Sequence, residues 1–379
     1  MTMIKVVHLT SAHPRYDIRI FEKECRSLAQ AGFNVTLVVA DGLPNETLHG
    51  VNITSVRPAH SRWKRMTYTA RHLAQTALAL KADIYHLHDP ELLPHAKLLS
   101  RQGAAVIFDA HEDLPKQVRS KPYLPFWIKG AASALSAKLE QHFSRHLTGV
   151  VSATPNITQK FSQFCTHSTT IHNYPTPEAF NDTPTPYENR PPFAVYVGGL
   201  TKLRGITELV TAVGLSQHDC QLLLAGDFSN SDFEQQLHRL PGWEKVDYLG
   251  YLSREEIHTT LEKARLGLVL LHPTVNYVEA LPIKLFEYMA AGIPVLASNF
   301  PLWESIIKTH KCGICANPLN PAEIAQAIDY LLSHPNEAQR MGQNGYRAMR
   351  EHFNWATEAT NLVQFYKQVL TNKDSVCAA

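Results

Sequence analysis

The sequence predicts an α/β protein made of two Rossmann-like, doubly wound units, and three observations predict it. Short β-branched runs alternate with amphipathic stretches of helical spacing, the pattern that parallel sheets with crossover helices produce. The alternation stops once and restarts at Phe193. The chain has 379 residues, 44% of them hydrophobic, more than one compact core ordinarily holds.

Taken in order, the first half offers a strand over Ile4–Thr10 and a helix over Arg19–Ala31 ended by Gly32. Strands follow over Val35–Ala40, Asp83–His88 and Ala105–Asp109. Tyr174–Pro192 then carries Pro175, Pro177, Pro184, Pro186, Pro191 and Pro192, a density that excludes regular helix or central strand. The second half opens with a strand over Phe193–Val197, a helix from Ile206, and strands over Gln221–Leu224 and Leu266–Leu271. A helix near Pro282–Ala291 and a strand over Pro294–Ala297 come next. After Asn320 the pattern turns helical, and Trp355–Leu370 keeps apolar residues at helical spacing before a polar tail. The expected division is residues 1–175, a proline-rich linker at 176–192, a second domain at 193–352, and a final helix within 353–379 packing back on the first domain. Open α/β sheets bind ligands beyond the carboxyl ends of their strands, so the chemistry is expected where two such sheets face each other across a cleft.

Composition narrows the function classes. Charged residues at 18% and aromatics at 9% fit a globular protein and exclude disorder, collagen and coiled coil. No window approaches the roughly 20 apolar residues of a spanning helix, and Met1–Lys5 runs into a strand, so a cytoplasmic location is expected. Six scattered cysteines do not form a disulfide framework. Cys312-Gly-Ile-Cys315 has the gap of a zinc or redox pair, but no second pair accompanies it and a strand onset explains it. Net charge is +2, divided as 20 Lys/Arg against 13 Asp/Glu in residues 1–180 and 16 against 21 in the rest. A basic first half suits an anionic neighbour, a membrane surface or a phosphorylated acceptor, as well as a plainly solvated face. No nucleic-acid partner is expected.

The densest local signal is Glu279-Ala-Leu281-Pro282-Ile283-Lys284-Leu-Phe-Glu287, followed by Tyr-Met-Ala-Ala-Gly292-Ile-Pro294. Glu279 sits on the loop after a strand, Pro282 suits a first helical turn, and Lys284 and Glu287 fall on one helix face. The free amides near Leu281, Pro282, Ile283 and Lys284 make an anion site, as helix N-termini do. A carboxylate beside such a helix start accepts sugar or ribose hydroxyls; the same spacing also serves a plain Lys284–Glu287 surface pair.

These residues resemble glycosyltransferase family four, whose retaining GT-B members carry two glutamates at the spacing of Glu279 and Glu287, then an Ala-Gly-x-Pro turn. The resemblance implies a nucleotide-diphosphate sugar, UDP- or GDP-linked, as donor, with Glu279 toward the sugar and Glu287 toward the ribose. It implies no cofactor and no metal ion. A second match is Tyr196-Val-Gly198-Gly199-Leu-Thr-Lys202-Leu-Arg204-Gly205, similar to the family's Gly-Arg-Leu segment that ends in Lys-Gly. Gly199 stands where many members have Arg, and Arg204 stands for the usual Lys, so Lys202 or Lys284 is left to supply a second cation. The family's glycine-rich stretch after the first glutamate is replaced by Ala280-Leu-Pro-Ile. Gly226, in Leu224-Ala-Gly226-Asp227, and Tyr251, after Gly250, fall where the family's loops approach phosphate and base, or are ordinary strand ends.

In the first half the resemblance covers Ser11–Arg19, Tyr85–Pro90 and Phe108–Asp113. His111 matches the histidine that members place against the donor sugar. His88 reads as structural. Arg15 and Arg19 are candidates for an acceptor phosphate, and Asp17, Asp89 and Asp109 for acceptor contacts. Basic and aromatic residues mix in Arg62–Met66 and Lys116–Lys129, which suits a membrane surface or a solvated loop. The implied reaction moves a sugar, with retention, to a hydroxyl of a glycan or polyprenyl-pyrophosphate-linked acceptor, as in bacterial surface polysaccharide assembly. His111, Arg204 and Glu279 are its expected catalytic residues. Two alternatives stay open: a non-hydrolysing nucleotide-sugar epimerase of similar fold, and a non-catalytic nucleotide-sugar-binding subunit.

Overall fold

The computed structural model describes residues 3–59, 61–101, 103–120, 125–176 and 184–377. It divides into two units, Met1–Asn173 with Trp355–Ala379, and Tyr174–Asn354.

The first unit holds one sheet of eight strands: β1 (Lys5–Thr10), β2 (Asn34–Val39), β3 (Glu46–Leu48), β4 (Val51–Ser55), β5 (Ile84–Leu87), β6 (Ala105–Ala110), β7 (Gly149–Ser152) and β8 (Ser168–Thr170). Their order is β3-β4-β2-β1-β5-β6-β7-β8, and every pairing except β3–β4 is parallel. Helices cover both faces, which is why β5 and β6 are buried along their whole length and read as unbroken runs. The β3–β4 hairpin, absent from the sequence reading, turns on His49 and Gly50 with φ of 51° and 80°. That two-residue primed geometry normally announces itself as Asn-Gly or Asp-Gly, and a His-Gly pair hides it.

The helix after β1 departs from ordinary form. Ile18–Cys25 is wound as a π-helix and passes into an α-helix at Arg26–Gln30. Asp17 caps it, its carboxylate accepting from the amides of Arg19 and Ile20 at 2.9 Å, while the amide of Glu22 reaches back to the Asp17 carbonyl, five residues away. The wider turn points Arg19, Lys23 and Glu24 into the core together. Over the same face lies the final helix, Trp355–Cys377, whose Leu362, Phe365, Tyr366 and Val369 share a core with Val6, Ile20, Leu37 and Ile107.

The second unit has six strands: β9 (Phe193–Val197), β10 (Gln221–Ala225), β11 (Val246–Gly250), β12 (Leu266–Val269), β13 (Val295–Ser298) and β14 (Gly313–Ala316). They lie in the Rossmann order β11-β10-β9-β12-β13-β14, all parallel. Of the stretch read as a linker, Pro177 and its neighbours to 183 lie outside the described residues. The rest is docked. Tyr174 packs edge-on against Phe286 and Phe353, and the buried Arg190 donates to the carbonyls of Thr185, Leu261, Ala264 and Ala291 at 2.9–3.2 Å.

Each sheet has one place where the chain reverses its direction of growth: between β1 and β5 in the first, between β9 and β12 in the second. Loops leaving the carboxyl ends of those strands diverge and open a crevice, so sites are sought there. Cys25, Cys165, Cys220, Cys312 and Cys315 are free thiols. Among the described residues no helix is long and apolar enough to cross a membrane.

Candidate functional site

In the second unit the chain leaves β9 through Gly198 and Gly199, turns at Lys202–Arg204, and enters the helix Ile206–Leu215. Gly198 has φ of 134°, and a Cβ there would lie 3.0 Å from Lys284 Nζ and 3.2 Å from Arg204 Nη1. A side chain at 198 would therefore displace both cations. Gly226, at the end of β10, comes so close to the Gly198 carbonyl that a Cβ would overlap it. The glycines thus serve close approach of backbone and cations as well as tight turns.

Lys284 enters from the first turn of the helix Ile283–Ala290, which follows Pro282. Its Nζ lies 4.0 Å from the centre of the Tyr196 ring, shielded from solvent and with no hydrogen-bond partner among the described residues. Burial, then the Arg204 charge, brings its pKa down to about 7, against the pull of Glu287. Burial also works against the Arg204 charge, but the neighbouring Tyr196 and Tyr277 hydroxyls outweigh it and raise that pKa. Lys202, the other candidate cation, is exposed. So Lys284, not Lys202, stands beside Arg204.

The helix start adds amides. Ile283 and Lys284 open the helix with their N–H groups ahead of the first intrahelical bond, that of Leu285 to the Pro282 carbonyl. Glu279 closes the short helix Val275–Val278, on a loop fixed by Trp303, whose Nε1 donates to the Ala280 carbonyl at 2.7 Å. Glu287 is half-buried one turn into the helix, and Tyr251 is exposed beyond β11. Two convergent cations, free amides and a positive helix end form an anion site suited to a diphosphate.

The first unit corrects several expectations. Arg15 directs four of its five N–H groups inward, to Asp41, the Pro44 carbonyl and Glu46, so it clamps a loop instead of facing a phosphate. Arg19 is buried in a bidentate pair with Asp109 at 2.7 and 2.8 Å and donates also to the Ile171 carbonyl. Asp17 is a helix cap, and its carboxyl is held at about 2 despite burial by His13 and the amides it accepts. Asp89 accepts from Thr10 Oγ1 and Ser11 N at 2.9 and 2.6 Å, bracing the loop after β1. All five side chains serve the fold.

His111 remains at the rim of this network, partly exposed, with Nε2 2.8 Å from Asp109 Oδ2. The same Nε2 lies 3.4 Å from His88 Nδ1, which ties His111 to the buried histidines behind it. Behind it runs a buried layer the sequence reading did not assemble. His8 Nδ1 and His88 Nε2 are 2.8 Å apart, His86 Nδ1 is 2.6 Å from the Tyr366 hydroxyl, and Glu24 lies among them. The signal was present as alternation: in Tyr85-His-Leu-His88 the two histidines point to one face of a strand, and β1 pairs His8 with His86. Tyr196, Tyr277 and Trp303 in the second unit were equally unmarked, since aromatic residues behind a site carry no spacing rule.

Residues 179–348 match the model of glycosyl transferases group 1, and residues 19–171 that of a glycosyl transferase 4-like domain. An uncharacterized glycosyltransferase of Methanocaldococcus jannaschii is 31% identical over 176 residues, 46% of this chain and 44% of that protein, so the match spans less than half of either. Sucrose-phosphate synthase from Thermosynechococcus elongatus superposes with a TM-score of 0.79 at 18% identity, covering 97% of this chain and 100% of that one. HepE of Anabaena, solved with UDP-glucose, superposes with a TM-score of 0.73 at 14% identity over 96% of this chain and 100% of its own. These structural likenesses are of fold alone, the two-domain GT-B architecture.

Proposed function

Because this chain belongs to glycosyltransferase family four, to which both matched segments assign it, we propose that it moves a sugar from a nucleoside diphosphate to an acceptor hydroxyl. The observation that carries this is the meeting of Lys284 Nζ and Arg204 Nη1 beside Gly198, at the start of the helix Ile283–Ala290. As the sugar leaves, charge develops on the diphosphate, and fixed cations and amides already aimed there stabilise it. Glu279 is then assigned to the donor sugar, Glu287 to the ribose and His111 to catalysis, with configuration retained. Arg204, Gly198, Gly199, Gly226 and Lys284 hold the phosphates, and Tyr251 lies toward the base.

UDP is the proposed carrier, supported by the fold shared with HepE, which was solved with UDP-glucose. The proposed acceptor is a glycan or a polyprenyl-pyrophosphate-linked sugar of bacterial surface polysaccharide assembly, met at the cytoplasmic membrane surface. Supporting that surface, Trp63, Phe126 and Trp127 are exposed in the basic first half. Co-sedimentation with anionic vesicles, lost in a Trp63→Ala/Trp127→Ala variant, checks it; equal sedimentation of both proteins discards it.

The donor test is a thermal-shift panel of UDP, GDP, ADP and CMP on wild type, Lys284→Met and Arg204→Ala. A ligand at a hundred times its dissociation constant stabilises by about 2.7 kcal/mol. A shift with one nucleotide in wild type, reduced in both variants, is the expected result. Equal shifts in all three proteins move the diphosphate elsewhere, and a new nucleotide sugar formed from UDP-glucose in a separate incubation without acceptor makes the protein an epimerase.

A further inference from the structure

The interior of the first unit contains a group of side chains that neither the donor site nor ordinary packing accounts for. His8 on β1, His86 on β5 and His88 just beyond its end point to one face of the sheet, and Glu24 comes down on them from the π-helical turn Ile18–Cys25. All four are buried, and each offers a ligand atom within 4.8 Å of the others. The mutual distances include 2.8 Å from His8 Nδ1 to His88 Nε2, and 3.7 and 4.0 Å from Glu24 Oε2 to His86 Nδ1 and His88 Nε2. Ligands at about 2.0–2.1 Å around a tetrahedral ion stand about 3.3 Å apart, and the observed spacings bracket that value.

Glu24 is the second observation. Neither of its carboxylate oxygens accepts a hydrogen bond from a donor group among the described residues, although both are shielded from solvent; the Asp109 carboxyl lies beside it, and the His86 Nδ1 that faces it is shared with the Tyr366 hydroxyl at 2.6 Å. The nearby Arg19 answers the charge only in part. Its bidentate partner is Asp109, and its Nε forms an ion pair with Glu24 Oε1 at 3.2 Å. One guanidinium thus faces two buried carboxylates, which leaves one negative charge in excess, an expensive state. A divalent cation at the centre of the group would supply the missing charge. A π-helical turn, which is rare and costs regular hydrogen bonding, is the feature that delivers Glu24 there.

We propose that His8, His86, His88 and Glu24 bind one zinc-type divalent cation, a structural site that pins β1 and β5 to the Ile18–Cys25 turn. Three imidazole nitrogens and one carboxylate oxygen in a closed, buried site are a zinc donor set. The His8–His88 contact opens by about half an ångström to admit the ion, a change two χ angles can absorb. The neighbouring set of His88, Asp109 and His111 is a weaker home, because Arg19 and His111 already engage Asp109. The rival occupant is a proton on Glu24, whose carboxyl is pushed up by burial and by Asp109.

The experiment uses the full chain produced in zinc-supplemented medium, with metal content measured after gel filtration and Tm measured before and after a strong chelator. Wild type is expected to hold about one equivalent of zinc and to lose thermal stability on chelation. Glu24→Gln, which keeps size and polarity, is expected to hold below about a tenth of an equivalent and to ignore the chelator. If that variant does not fold, wild type refolded with cobalt still reports, because tetrahedral coordination gives intense visible bands. Wild type without zinc, without cobalt bands and with a chelator-independent Tm overturns the site and assigns the proton to Glu24.

Discussion

The two units repeat one strand order around their switch points but fill it differently. Behind β1, β5 and β6 the first unit buries His8, Arg19, Lys23, Glu24, His86, His88, Asp89 and Asp109, whereas among the described residues the second buries one charged residue, Arg190, which donates to four backbone carbonyls. At the rim the contrast reverses. The first unit's Arg15 and Asp89 are engaged by their own fold, and the second leaves Lys284 Nζ without a hydrogen-bond partner among the described residues. A charged residue after a strand is thus weak evidence of a ligand until its polar atoms are counted. Parallel strands tolerate either filling, provided charge is compensated inside.

The sharpest way to break this comparison is to uncompensate each interior. Asp109→Leu leaves the Arg19 guanidinium buried without its bidentate partner, and a loss of about 3–5 kcal/mol is expected in urea unfolding. Adding Arg19→Met should restore much of it. An unchanged midpoint with lost activity would instead return Asp109 to acceptor binding. Arg190→Met removes five donated hydrogen bonds from four buried carbonyls, and about 3 kcal/mol is expected, because bonds from one side chain are not additive. A loss below about 1 kcal/mol would mean that the Thr185–Arg190 segment is only loosely docked.

Much of the architecture was legible because parallel strands buried on both faces announce themselves as apolar runs. β1, β2, β5, β6, β9, β10, β12 and β13 fall within one or two residues of their expected limits. What escaped was short or oddly wound: the His49-Gly50 hairpin, β7 and β8, and a π-turn that no period of 3.6 describes. The helix start within Glu279–Glu287 was legible because Pro282 and the residue spacing carry it. Its first-unit counterpart was not, since Arg15, Asp17, Arg19, Asp89 and Asp109 look alike in sequence whether they meet a ligand or each other. Only the distances separate them.

A smaller effect sharpens the second unit's side. Lys284 has its pKa lowered to about 7, so above that pH the free site holds a largely neutral amine. A bound diphosphate favours the ammonium form, so binding at higher pH must take up a proton. UDP affinity is therefore expected to fall by up to about tenfold per unit as pH rises from 7 toward 9, below the pKa of the bound lysine. Lys284→Met should weaken binding about 10- to 100-fold at pH 7 and remove the slope. Titration calorimetry in two buffers of different ionisation enthalpy measures the uptake directly. A slope retained in the variant would assign the proton to another group.

The smallest expected effect is also the most discriminating for the relocated cation. Gly199 stands where family members carry arginine, and a Cβ built on it lies 3.4 Å from Arg204 Nη1, an ordinary contact that leaves room for a longer side chain. If Lys284 supplies the second positive charge, then Gly199→Arg in the wild-type background adds a third cation to a diphosphate already neutralised, and UDP affinity should change by less than about threefold. In the Lys284→Met background the same arginine should recover most of the lost affinity, and without the pH slope, because a guanidinium stays charged where a buried amine does not. The double-mutant cycle then gives a coupling between positions 199 and 284 that neither single change reveals. Additive effects would mean that the two positions serve different ligand atoms, and that the donor site operates with Arg204 as its principal cation.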